Sequence, residues 1–187
     1  MKKTKPLLIA FAIVASVSTL LSFVDSDRKA ESSVKLDQMV ADWERAKAYT
    51  QAYLNVSTDE AVNFKPTAEM RTFGQQMLHL AEANYGIGSV ASGKANPITW
   101  GALEKSDQYK TKAAVTKAVM DSYDFVIAAA KEMDDQKMSE KVKLFDKFEM
   151  SRVEALNKAF EHQTHHRGQT TVYLRLKGIT PPNEMLF

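Results

Sequence analysis

The chain has 187 residues, enough for one domain with a single core, and its 44% hydrophobic and 26% charged residues suit an ordinary globular protein. It contains no cysteine, which excludes a disulfide framework, a cysteine nucleophile, thiolate metal ligands and a lipid anchor on cysteine. The net charge of +2 includes Lys2, Lys3 and Lys5; without them 22 basic face 23 acidic side chains, so nothing marks a nucleic-acid partner.

Those three lysines precede a mostly apolar, uncharged run over 6–24. This is the basic-then-apolar pattern of a secretory signal, and roughly 19 residues is also long enough for an uncleaved membrane anchor. Residues 1–26 are therefore expected to direct export or to tether the protein to a membrane, and residues 27–187 to form the domain.

From Lys35 to Asn55, Leu36, Met39, Val40, Trp43, Ala46, Thr50 and Leu54 recur at three- and four-residue steps, the stripe of an amphipathic helix. Ser57-Thr58-Asp59-Glu60 suggests a short capped turn that ends before Pro66. A second helix is expected from a Thr67 cap to about Tyr85, with Met70, Phe73, Met77 and Leu80 near one line and His79 at its edge. Gly86, Gly88, Gly93 and Pro97 then predict an irregular connection from Ile87 to Glu104, with Trp100 placed to cover a pocket. Ser106 and Asp107 are expected to cap a third helix that reaches about Met133 and is rich in small residues. Residues 142–148 read as an apolar approach to a fourth helix over about Met150 to Lys177, closed by Gly178 and Pro181-Pro182. No stretch reads as a strand.

The fourth helix carries His162, His165 and His166. His162 and His166, four residues apart, stack on one helical face and can grip one metal ion, as in the HExxH arrangement, although Gln163 stands where that motif needs glutamate. His165 is turned about 100° from His166 and is not expected to ligate. Glu161 points off the ligand face and makes a poor general base. A third ligand must come from elsewhere, and His79 is the remaining histidine. No serine-nucleophile elbow, Walker loop or dinucleotide fingerprint occurs in the chain.

The string from His162 through His166-Arg-Gly-Gln-Thr-Thr-Val-Tyr-Leu-Arg-Leu-Lys to Pro181-Pro182 resembles the last helix of the DinB/YfiT-like family. Arg71-Thr-Phe-Gly-Gln-Gln-Met-Leu-His79-Leu resembles that family's second helix, and the likeness spans roughly Leu36 to Phe187. The resemblance implies an all-α four-helix bundle with up-down-down-up order, one divalent metal held by His79, His162 and His166, and a homodimer. Three neutral imidazoles would leave the ion its full charge and an open position, the pattern of catalytic rather than structural zinc. Nitrogen-only ligation makes zinc or nickel the leading candidates, with cobalt, copper and iron also compatible. Gln163, Gln169, Glu82 and Tyr173 are candidate supporting or substrate-contacting groups. The expected function is a metal-dependent enzyme that activates a thiol or water, S-transferase-like and using a small-molecule substrate such as a low-molecular-weight thiol. The alternative is a metal-binding or structural bundle without catalysis.

Overall fold

The computed structural model describes residues 35–187, so the expected signal or anchor at 1–26 lies outside the described residues. Four major helices pack as a bundle: α1 (35–56), α3 (Phe73–Ser92), α4 (Lys112–Lys131) and α6 (Arg152–Leu176). Two one-turn helices, α2 (Asp59–Asn63) and α5 (Asp135–Ser139), and a hairpin of β1 (Lys141–Leu144) and β2 (Phe148–Ser151) fill the connections. Among the described residues no helix is long and apolar enough to cross a membrane.

Side-chain partners fix the helix directions. Along α1, Glu44, Lys47 and Thr50 meet Lys131, Asp124 and Tyr123, so α4 runs antiparallel to it. Trp43, Thr50 and Tyr53 meet Phe160, Arg167 and Thr171, so α6 runs parallel to α1. Along α3, Asn84 meets Ser122 and Gly88 faces Val126, a parallel pairing with α4. Gln76 reaches Tyr173 while Val90 and Ala91 accept from Arg152, an antiparallel pairing with α6. The order is up-down-down-up, with α1 and α3 on opposite corners. The core centres on Trp43, Tyr123, Phe73, Leu80 and Leu156, and Trp43 meets Tyr123 and Phe160 edge-on. The α1 stripe is buried as expected at Trp43, Ala46, Thr50 and Leu54.

Element boundaries differ from the expected ones in four places, each for a physical reason. Helix α3 starts at Phe73, not after Thr67, because Thr72 and Gln75 form a reciprocal capping box, whereas Thr67 has Met70 at the position that needs glutamate or glutamine. It runs on through Gly86 and Gly88 to Ser92, where Gly93 at φ 76° provides the left-handed stop. A Cβ on Gly86 would sit 2.3 Å from Trp100 Cζ2, and one on Gly88 2.9 Å from Val126 Cγ2. These glycines are spacers for close packing, not helix breakers, so the irregular connection begins after Ser92 rather than at Ile87. Helix α4 begins at Lys112, where Thr111 accepts from the Ala114 N–H. Residues 141–151 pair as strands, with Leu144 opposite Phe148. Lys141 and Lys143 are exposed while Val142 and Leu144 turn inward, an alternation only four residues long. Helix α6 then starts at Arg152 on a Ser151–Glu154 capping box.

Between α1, α4 and α6 lies a buried polar network. The carbonyl oxygen of Gln163, fully buried, accepts from Tyr123 Oη at 2.8 Å and from Arg167 Nη1 at 2.7 Å. The Arg167 guanidinium also lies 4.5 Å from the Tyr49 ring centroid. Removing the shared acceptor leaves the buried Tyr123 hydroxyl and Arg167 guanidinium with Thr50 as their remaining side-chain hydrogen-bond partner. Gln163→Ala is expected to lower the unfolding free energy by about 3 kcal/mol in urea titration, and loss below about 1 kcal/mol would show that these donors find other partners.

Candidate metal centre

Helices α3 and α6 pair antiparallel, which brings His79 on one against His162 and His166 on the other. The three rings stand 4.4–5.1 Å apart centroid to centroid. One nitrogen from each lies within 4.8 Å of the other two. A tetrahedral zinc with Zn–N about 2.0–2.1 Å needs nitrogens roughly 3.4 Å apart, a contraction within the reach of side-chain rotation. The sequence-expected trio is thus assembled into a cluster able to hold a metal ion. His165 is exposed, with its Nε2 3.1 Å from Gln169 Nε2, outside the cluster.

Two of the imidazoles are held by their other nitrogen. His166 Nδ1 lies 2.8 Å from Gln76 Oε1. The Gln76 amide donates to Tyr173 Oη at 3.3 Å, and Tyr173 in turn donates to the Arg71 carbonyl at 3.0 Å. This chain of donors sets the Gln76 amide with its oxygen toward His166, so Nδ1 carries the proton and the Nε2 lone pair is free. His79 Nδ1 lies 3.3 Å from Glu104 Oε2, and Arg71 Nε donates to Glu104 Oε1 at 2.8 Å. A carboxylate behind a histidine orients it and raises its strength as a ligand. His162 Nδ1 is buried and has no hydrogen-bond partner. A buried, unpartnered ring nitrogen beside two pre-oriented ones fits a metal better than it fits a core histidine.

Glu104 reaches His79 because Glu82 holds its loop. The buried Glu82 carboxylate accepts from the N–H groups of Gly101, Leu103 and Glu104 at 2.8–2.9 Å. Glu82 lies near enough to His79 and Glu104 that these three could also hold an ion, but three of its four lone-pair positions are taken by the backbone, so it serves chiefly to anchor the loop. Of the other candidate supporting residues, Tyr173 does connect to the cluster, through Gln76. Gln163 does not: its amide is turned into the core, toward Tyr123 and Arg167. Gln169 stays on the exposed face with His165. Glu161 pairs with Lys158 at 2.8 Å.

Burial disfavours the charged form of all three rings. It lowers His79, aided by Arg71 and opposed by Glu104 and Glu82. Burial and the neighbouring imidazoles bring His162 down to about 4 and His166 to about 3. Neutral imidazoles at pH 7 are what a metal requires.

A cavity of ≈ 760 Å³ opens beside the cluster, with His79 and His162 in its wall. Ala83 and Ile87 of α3 line one side, and Leu144, Phe145, Phe148 and Met150 of the hairpin the other. Trp100 closes a third side, its indole seated on Gly86. Placing Trp100 at a pocket was expected from its loop; the hairpin wall, Gln76 and Glu104 were not. Gln76 stands three residues before His79, on the same helical face, which is a usable signal. Glu104 has none, because a loop anchor, not spacing, brings it in.

A family model described as the DinB family matches residues 32–185. The uncharacterized protein YrdA of Bacillus subtilis (strain 168) is 30% identical over 152 residues, 79% of this chain and 86% of that protein. Among solved structures, a DinB-like protein from Bacillus cereus ATCC 10987 aligns with TM-score 0.64 at 20% identity, covering 79% of this chain and 96% of that one. A DinB-like protein (YjoA) from Bacillus subtilis aligns with TM-score 0.60 at 16% identity, covering 80% and 96%. These similarities support the bundle fold seen here.

Two outcomes test the cluster. Glu104→Ala is expected to weaken divalent-metal affinity roughly tenfold or more, as loss of an outer partner does, measured by competition with a chromogenic chelator. Unchanged affinity would mean that Glu104 does not orient His79. In the metal-free protein, the folded rings of His162 and His166 titrate near 4 and 3, below their ordinary 6.5. The unfolded chain therefore binds more protons as pH falls below about 6.5, and stability drops through that window. Melting temperature in chelator is expected to fall between pH 7.5 and pH 5, and less steeply in the His162→Gln/His166→Gln double variant.

Proposed function

The chain belongs to the DinB family, and from that premise we propose that it is a metal-dependent enzyme with His79, His162 and His166 as the ligands of one divalent ion, zinc or nickel. The observation that carries this reading is the state of the three imidazoles. Two have their Nδ1–H groups taken up by Gln76 and Glu104, and the third has a buried Nδ1 without a partner. His79, His162 and His166 would hold a divalent ion through neutral nitrogens, and the chemistry it would supply is to lower the pKa of a water or thiol.

The chain's own residues supply the rest. Gln76 and Glu104 hold His166 and His79 in one tautomer and orientation. Trp100 and the β1–β2 hairpin wall the reaction space with apolar groups, which strengthens electrostatic interactions inside it. No aspartate or glutamate is among the residues lining the cavity, and this favours a thiol over water as the nucleophile. A thiol can attack an electrophilic carbon with its proton passing to solvent, as the leaving group departs with its electron pair. Hydrolysis more often needs a positioned proton carrier for the leaving group. The second reading, a metal-binding bundle without catalysis, draws on that same shortage of acid–base groups.

Elemental analysis of the purified protein is expected to give one divalent ion per chain. Alanine at His79, His162 or His166 should empty the site, and His165→Ala should leave it full. Metal lost from His165→Ala but kept by His166→Ala would overturn the assignment. Steady-state assays of electrophile consumption should show a rate that depends on thiol concentration in the metal-loaded protein and vanishes in His166→Ala. Equal rates in loaded, metal-free and variant protein would favour the non-catalytic reading.

A further inference from the structure

The cavity beside the histidines differs in character from the cluster it adjoins. Apart from two imidazoles and Lys158, its lining side chains are apolar. Lys158 is ion-paired with Glu161 at 2.8 Å, and both side chains are more than half exposed, so its head lies toward solvent. A volume of ≈ 760 Å³ falls within the range, about 300–1,000 Å³, of pockets that enclose a drug-sized molecule. A polar body such as a sugar or a peptide would lose its water there and find few donors or acceptors in return, those of Lys158, the Trp100 indole N–H and the two imidazoles.

Trp100 and the hairpin tip form the outer wall. Trp100 is 46% exposed although its indole lies on Gly86, and Phe145 is 58% exposed. The two rings stand 6.1 Å apart across the mouth. Phe145 and the following Asp146 both hold φ at 54°, a left-handed conformation that is uncommon for a bulky side chain. An aromatic side chain kept there by a strained turn, rather than packed into the core, marks a constrained position at the entrance.

We propose that this cavity receives the apolar body, an alkyl chain or aryl group, of a small molecule whose polar head reaches the three histidines, and that Trp100 on Gly86 sets the length and width it accepts. The proposal rests on the metal-site reading for the head, while the cavity stands on its own walls. Trp100 is a specificity-determining residue here, and Gly86 acts through it by leaving the slot that the indole fills.

The test uses zinc-loaded protein and a series of n-alkyl hydroxamates from acetohydroxamate to octanohydroxamate, with affinity read by titration calorimetry. Binding is expected to tighten about fourfold per added methylene, as burial of methylene groups predicts. Trp100→Ala and Gly86→Ala should each lower the ratio of octanohydroxamate to acetohydroxamate affinity, a ratio taken within each variant so that any change at the head cancels, and circular dichroism checks the fold. Acetohydroxamate binding with no gain from chain length would overturn the cavity proposal and leave the metal reading standing. Equal absolute affinity for every member of the series with and without zinc, and in His166→Ala, together with a gain on chain length, would uphold the cavity and remove the metal reading for the head. A gain that Trp100→Ala does not alter would overturn the role of Trp100.

Discussion

The carboxylate of Glu82 accepts three backbone N–H groups from the loop between α3 and α4, and through that loop it reaches both halves of the site. One consequence is that Glu104 is delivered to His79, with Arg71 bracing its other oxygen. The other is that Trp100 is laid over Gly86 and becomes a wall of the cavity. A buried acid that satisfied no donors would be costly. Here the donors are backbone groups that a loop would otherwise expose to water, so anchoring the loop and satisfying the acid are the same event.

Helix α6 serves two polar interiors at once. Its His162 and His166 face α3, where burial keeps the rings neutral. Gln163, Arg167 and Thr170 are buried on another side, and Gln163 and Arg167 join Tyr123 and Thr50 of the neighbouring helices. Because neighbouring residues on a helix differ by about 100°, Gln163 falls into the core network even though it adjoins a histidine of the cluster. The likeness to HExxH therefore ends at the histidine spacing. A carboxylate at position 163 would meet Arg167 and Tyr123, not the space beside the imidazoles.

The hairpin and the tryptophan give the histidine cluster a one-sided environment. Toward α6 and the Arg71–Tyr173 chain the surroundings are polar and hydrogen-bonded; toward the cavity they are apolar. A reacting head and an apolar body would thus be sorted by the same few ångströms of structure that hold His79. This division links the proposed chemistry to the proposed substrate class without requiring any motion of the bundle.

How much of this was legible beforehand follows from the range of each interaction. Helical stripes, the α1 face and the His162–His166 pair are local, set by the 3.6-residue repeat, and the sequence by itself determined them. The likeness to a known family extended that reading to His79 and to the bundle order. What only the tertiary structure decided depends on contacts distant in sequence. Gly86 and Gly88 look like helix breakers until Trp100 and Val126 are seen to occupy the space their side chains would need. The β1–β2 pairing carries too few alternating residues to stand out from a helix approach. Glu104 and Glu82 are unremarkable charges in the sequence, and they gain their roles because a folded loop places one behind His79 and buries the other beneath three amides.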